Sequence, residues 1–158
     1  MHNLKQSGFT LIELMILVII IGILGTLVAT TYSGIQSKNR NSERQSHIKT
    51  LQSELEVYYA QNSKYPTLAD LNNTAWRTAN MKELKASDLK DPQWSKAAQA
   101  CTLKGVAALT GSPAQKCYAY QVTTSDGSAC DNIKADCAQY TLTAMLEGGE
   151  KFVKSSLN

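Results

Sequence analysis

The chain has 158 residues, a formal net charge of +3 at pH 7, 18% charged and 43% apolar residues. That length allows one domain of ordinary size plus an appendage. The mild positive charge does not cluster beyond Lys38, Arg40 and Arg44, which leaves a nucleic-acid-binding role unsupported.

The first element is an apolar run from Phe9 to Gln36, and Glu13 is the only charge between Lys5 and Lys38. Roughly 20 apolar residues span a bilayer as a helix. A carboxylate in such a segment costs about 2.5–3.5 kcal/mol at its centre and less near the interface, so it marks a functional site that needs a partner. A secretory signal peptide does not fit, because the run is too long, Glu13 interrupts its start and no small-x-small cleavage site follows. A plain signal anchor fits the length but gives Glu13 no role. A membrane segment that also serves as an assembly helix accounts for both.

The residues preceding the run, KQSG-FTLIELM, resemble the processing site of type IV prepilins and related pseudopilins, and the similarity is close over Phe9–Leu24. The resemblance implies a leader, Met1–Gly8, that prepilin peptidase removes behind Gly8. It implies N-methylation of the new N-terminal Phe9, and it gives Glu13 a role in assembly. It also implies a cytoplasmic leader. Flanking charge alone favours the opposite orientation, since Lys5 stands against Lys38, Arg40 and Arg44; the specific processing site outweighs a difference of two charges. Many relatives carry a proline where this chain has Thr30. Gly22 and Gly25 remain as weak points, each about 1 kcal/mol less favourable in a helix than alanine.

The helical pattern continues past the apolar run. Ile48, Leu51, Leu55, Tyr58 and Tyr59 recur at three- and four-residue spacing among polar residues. Without a proline before Pro66, one helix from about Thr10 to about Gln61 is predicted, with an amphipathic part over 37–61 whose apolar stripe packs on a sheet. Asn62–Pro66 ends it, because proline cannot continue the helix and pushes Tyr65 toward an extended conformation. Residues 62–116 read as a variable loop with short helical patches at Leu68–Leu71 and Met81–Leu84, bounded by Asp91-Pro92. Residues 117–156 read as sheet. Tyr118, Tyr120 and Val122 alternate in one strand, and Tyr140, Leu142, Ala144 and Leu146 in the next. Gly148-Gly149 offers a two-residue hairpin turn into Lys151–Ser155. The expected fold class is α+β, with a long N-terminal helix packed on a small antiparallel sheet, so that the chain divides into a leader (1–8), an assembly helix (9–36) and a globular head (37–158).

Cys101, Cys117, Cys130 and Cys137 all follow the membrane-like run. Outside the cytoplasm they would form disulfides. Four cysteines allow three pairings, and Cys101–Cys117 with Cys130–Cys137 is favoured because each pair is local. A zinc site lacks both a CxxC pair and a nearby histidine. His2 lies in the expected leader, His47 on the helix reads as a packing or solvated residue, and no nucleophile–base set is visible, so no enzymatic activity is expected. Asp126, Asp131 and Asp136 surround the second cysteine pair, and some pseudopilins bind calcium in a C-terminal loop. The spacing is not that of an EF-hand, a solvated turn is the preferred reading, and no metal or cofactor is expected. Trp76 and Trp94 read as core residues.

The resemblance implies a structural subunit of a type IV pilus. It would be held in the cytoplasmic membrane as a single-pass protein and then polymerise with other pilin subunits, through the membrane assembly machinery, into an extracellular filament. Adhesion and motility are the tasks associated with such filaments. The alternative is a pseudopilin of the type II secretion kind. A membrane-anchored binding domain that never polymerises is the rival from another class.

Overall fold

The computed structural model describes residues 9–95, 101–103 and 106–158, and gives the backbone but not the side chains of 27–31, 102–103 and 106–107. The expected leader, Met1–Gly8, lies outside the described residues, as does its His2.

Helix α1 runs from Leu11 to Asn62. The chain separates into two compact units, Met1–Lys38 and Asn39–Asn158, so α1 contributes to both. In the second unit α1 turns Arg44, Ile48, Leu51 and Leu55 fully inward, a four-three-four spacing that places them on one helical face. The helix stops where Ser63 takes a left-handed φ of 57° and its N–H donates to the Tyr59 carbonyl at 2.7 Å, satisfying one of the last orphan acceptors. Pro66 follows, and the helix cannot resume.

Two short helices come next. Helix α2, Leu68–Asn72, opens with a capping box in which Thr67 and Asp70 satisfy each other's backbone N–H. Helix α3, Thr74–Asn80, is capped by the Asn73 side chain. The sequence pattern placed a helical patch at Met81–Leu84 instead. There the backbone makes only a turn, with Leu84 N–H donating to Met81 O at 3.1 Å, and a 3-10 turn follows at Ala86–Leu89. Met81, Leu84 and Leu89 are buried, so the apolar spacing reflects anchoring of an irregular segment to the core, not helix formation.

Strands β1 (Thr102–Leu103) and β2 (Val106–Ala107) pair antiparallel inside the region read as loop. The main sheet is three-stranded and antiparallel in the order β3 (Tyr118–Thr123), β4 (Gln139–Met145), β5 (Lys151–Ser155). Tyr118 pairs with Ala144, Tyr120 with Leu142 and Val122 with Tyr140, which puts the predicted alternating residues on one face. They join Ile48, Leu51 and Leu55 in a single core. The arrangement is α+β and pilin-like: a long N-terminal helix followed by a small antiparallel sheet.

The β4–β5 connection is longer than the predicted two-residue turn. Met145 pairs with Lys151, and Leu146 N–H donates to Glu150 O at 2.8 Å. Gly148 and Gly149 both have positive φ, 104° and 91°, as glycine permits. The turn is wide because Glu147 is tied to α1: its N–H donates to Asn41 Oδ1 at 2.9 Å, and its carboxylate accepts from Arg40.

Candidate assembly site

At its N-terminal end α1 closes on itself through Thr10 and Glu13. The Glu13 carboxylate accepts from the Thr10 N–H at 3.4 Å and from its hydroxyl at 3.3 Å, while the Glu13 N–H donates to the Thr10 hydroxyl oxygen at 3.3 Å. Leu14 N–H donates to Thr10 O at 3.2 Å. This is a capping box, with Thr10 as N-cap and Glu13 three residues on. The lone charge of Glu13 marks it in the sequence but does not by itself reveal this local partner. The Thr-x-x-Glu spacing ahead of an apolar run was the available signal.

Around Glu13 the helix is apolar on all sides. Leu11, Ile12, Leu14, Met15, Ile16, Leu17, Val18, Ile19, Ile20 and Ile21 are all exposed, and Phe9 is 72% exposed. A helix apolar all round must be buried by lipid or by other chains. Gly22 and Gly25 are helical, and an added Cβ would meet nothing at either. Among the described residues no helix is long and apolar enough to cross a membrane. The expected membrane segment over 9–36, and the Thr30 side chain within it, run through 27–31, whose side chains lie outside the described residues.

Two of the three cations read as a membrane flank have structural work in the head. Arg44 is 1% exposed. It donates to Asp91 at 2.7 and 3.1 Å, to Asn41 at 2.8 Å, to Gln93 at 3.1 Å and to Glu147 at 3.3 Å. Burial alone would make the guanidinium easier to deprotonate; the hydrogen bonds and charges of Asp91 and Glu147 outweigh it and raise its pKa. Arg40 pairs with Glu147.

The acidic residues of the second cysteine loop are also engaged internally. Asp131 accepts from the N–H groups of Ile133, Lys134 and Ala135 at 2.7–3.3 Å, which holds its pKa below the usual carboxylate value. Asp126 accepts from Thr124 and from Ser128 N–H, with the same effect, and Asp136 lies 3.4 Å from Lys64. No group of potential metal ligands occurs among the described residues. The disulfides are Cys101–Cys117 and Cys130–Cys137. His47 Nδ1 sits 2.9 Å from the Tyr118 hydroxyl. Trp76 packs on Tyr58 at 5.3 Å between ring centroids, and the Trp94 indole donates to Cys101 O.

Residues 3–29 match the family described as the prokaryotic N-terminal methylation motif, so the chain carries the N-terminal segment of prepilin-type proteins. The type II secretion system core protein G of Dickeya chrysanthemi is 40% identical over 63 residues, which is 40% of this chain and 41% of that one. Its counterpart from Aeromonas hydrophila is 39% identical over 67 residues, 42% of this chain and 47% of its own. The type IV major pilin protein PilA of Myxococcus xanthus is 34% identical over 68 residues, 43% and 31% of the two chains. The chain thus spans less than half the length of these curated relatives. No solved structure matches it.

Proposed function

We propose that this chain, which carries the prepilin-type methylation motif, is a structural subunit of a pseudopilin-like filament of the type II secretion kind. The observation that carries the reading is the motif over residues 3–29, whose described part opens a helix with apolar side chains from Leu11 to Leu24 exposed on every face. Several relatives named as secretion core protein G favour the secretion reading. The sequence had favoured a pilus subunit, and the Myxococcus pilin relative keeps that as the second reading.

In this proposal the precursor is anchored in the cytoplasmic membrane and prepilin peptidase cuts behind Gly8. Phe9 then carries a free α-amine, cationic near neutral pH, which is methylated. Thr10 gives one Glu13 oxygen, Oε2, two donors within one chain, but Thr10 supplies no positive charge. The Phe9 amine of a neighbouring copy, offset along the helix, supplies it. Both charges sit among apolar side chains, where an unpaired one costs several kcal/mol. The pair therefore selects the register, while apolar burial at roughly 25 cal/mol per Å² provides the affinity.

Intact-mass and N-terminal analysis of the purified mature protein tests the processing step. A chain beginning at methylated Phe9 is expected, and Gly8→Arg should retain the leader. A mature wild-type chain that keeps Met1–Gly8 overturns the proposal and favours a non-polymerising anchor. Deletion in the host separates the two filament readings. Lost protein secretion with intact surface pili supports the secretion subunit, and lost pili with intact secretion supports the pilin.

A further inference from the structure

Within unit Asn39–Asn158 four tyrosines form a continuous stack. Tyr59 lies on Tyr65 at 4.6 Å between ring centroids, Tyr65 meets Tyr140 edge-on at 4.7 Å, and Tyr140 lies 5.9 Å from Tyr120. Packing accounts for the rings, but not for where two of the hydroxyls point. Tyr65 donates to Glu56 Oε2 at 2.9 Å and Tyr140 to Glu56 Oε1 at 2.7 Å, so one carboxylate on α1 takes a phenol on each oxygen. Leu157 N–H and Asn158 Nδ2 complete its shell at 3.3 and 3.2 Å. Tyr65 is also anchored by its backbone, whose N–H donates to Cys137 O at 2.8 Å. A buried phenol needs only an acceptor, and a backbone carbonyl serves, as Pro66 O does for Tyr120 at 2.7 Å. A carboxylate is more than an acceptor: it is a base within reach of proton transfer.

Burial keeps the Tyr65 and Tyr140 phenols protonated. Such a phenol gives up an electron only if its proton leaves as well, because the radical cation would be an uncompensated charge in the core. Transfer of that proton to Glu56 turns a carboxylate into a neutral acid, so no positive charge appears. Tyr120 has no such outlet, since the Pro66 carbonyl cannot hold a proton. Tyr118 has a basic neighbour, His47 Nδ1 at 2.9 Å, but its described ring contact is with His47, outside the stack. Tyr65 and Tyr140 are 0% and 3% exposed, out of reach of an oxidant in solution. Tyr59 is half-buried and leads to both through the stacked rings.

We propose that the head is a reversible sink for one-electron oxidants such as the carbonate radical, with the radical resting on the Tyr65–Tyr140 pair and Glu56 holding the proton. The oxidant takes an electron at Tyr59, becoming carbonate, and the electron vacancy passes across the ring stack. At Tyr140 the O–H bond breaks and its proton forms an O–H bond to Glu56 Oε1. Tyr65 can do the same toward Oε2. A one-electron reductant such as ascorbate later returns the electron, and Glu56 returns the proton. The activity belongs to the head and does not depend on the filament reading.

Flash-quench oxidation of the full chain in detergent tests it. Photo-excited ruthenium tris-bipyridine with persulfate supplies the one-electron oxidant, and electron paramagnetic resonance of the frozen sample reads the radical. The wild type should give a neutral tyrosyl signal that the double variant Tyr65→Phe with Tyr140→Phe loses. Glu56→Gln, which cannot take up the proton, should lower the radical yield about tenfold. Ascorbate should erase the wild-type signal and leave a chain of unchanged mass. A signal that persists in the double variant places the radical on another residue and overturns the proposal. So does a wild-type yield in Glu56→Gln, or a chain left hydroxylated or cross-linked after ascorbate. If Glu56→Gln lowers the melting temperature, Tyr59→Phe decides. Its hydroxyl bonds to no described residue, so the fold is kept; a several-fold lower yield is expected, and a yield equal to wild type overturns the route.

Discussion

Arg44 and Asp91 form a two-pronged ion pair inside the head, with Nε to Oδ2 at 2.7 Å and Nη2 to Oδ1 at 3.1 Å. Both side chains are almost wholly buried. The pair fastens the segment around Asp91 to α1, and Glu147 brings the β4–β5 turn to the same guanidinium. One arginine thus joins three pieces of chain that are distant in sequence.

Removing one partner of this pair leaves a buried charge uncompensated. Arg44→Ala should cost about 3–5 kcal/mol, read by chemical denaturation of the full chain in detergent. The double variant Arg44→Met with Asp91→Leu should recover most of that loss, since a matched apolar pair removes both charges. A loss below about 1 kcal/mol for Arg44→Ala would show that water replaces the ion pair.

Thr10 and Glu13 can be separated by substitution. Thr10→Val removes the cap hydroxyl and should destabilise the first turn of α1 by about 1 kcal/mol, seen as roughly fivefold faster amide exchange at Glu13 and Leu14. It keeps the carboxylate, so filaments should still form. Glu13→Ala should insert and be processed normally yet assemble poorly. Equal filament yields from the two variants would remove the charge from the assembly mechanism.

Each disulfide closes a local loop, with sequence separations of 16 for Cys101–Cys117 and 7 for Cys130–Cys137. Replacing both cysteines of a pair with serine should cost about 3 kcal/mol for the first and about 2.5 kcal/mol for the second in the chain-entropy model. Denaturant midpoints of the two double variants check the order as well as the sizes. A larger loss for the shorter loop would point to the docking of Cys137 on Tyr65 as the dominant effect.

The tyrosines of the core predict an alkaline limit. Burial, helped by Glu56 and opposed by the hydrogen bond with Asn158, pushes the Tyr65 phenol up to about 12, and burial raises Tyr118, Tyr120 and Tyr140 as well. A phenol whose folded pKa is raised stabilises the fold fully below the unfolded value of about 10. As pH rises from there toward 12 the unfolded chain loses protons that the folded chain keeps. Stability then falls by up to about 1.4 kcal/mol per pH unit for each such tyrosine. Tyrosinate absorbance should appear together with unfolding, and ionisation of all tyrosines in a chain that stays folded would contradict this.

The parts of this protein visible in the sequence are those with a short period or a local rule. The stripe Ile48, Leu51, Leu55 and the alternation Tyr118, Tyr120, Val122 each report one face of one element, and neighbouring residues suffice to show it. Pro66 ends α1 by its own covalent geometry. Thr-x-x-Glu at Thr10–Glu13 obeys a local rule too and is legible from those two residues alone. Met81 and Leu84 misled because apolar spacing of three residues marks anchorage to a core whether or not the backbone between is helical.

The sequence by itself determined the long helix, the three main strands and the N-terminal processing motif, because periodicity, proline and a contiguous motif act within a few residues. Only the tertiary structure decided what Arg40 and Arg44 do, since their partners Glu147 and Asp91 lie far along the chain. It also decided that Asp126, Asp131 and Asp136 are held by their own loop and by Lys64. A charge or an apolar side chain has no fixed role in a sequence; its energy depends on what surrounds it, and folding alone supplies the surroundings.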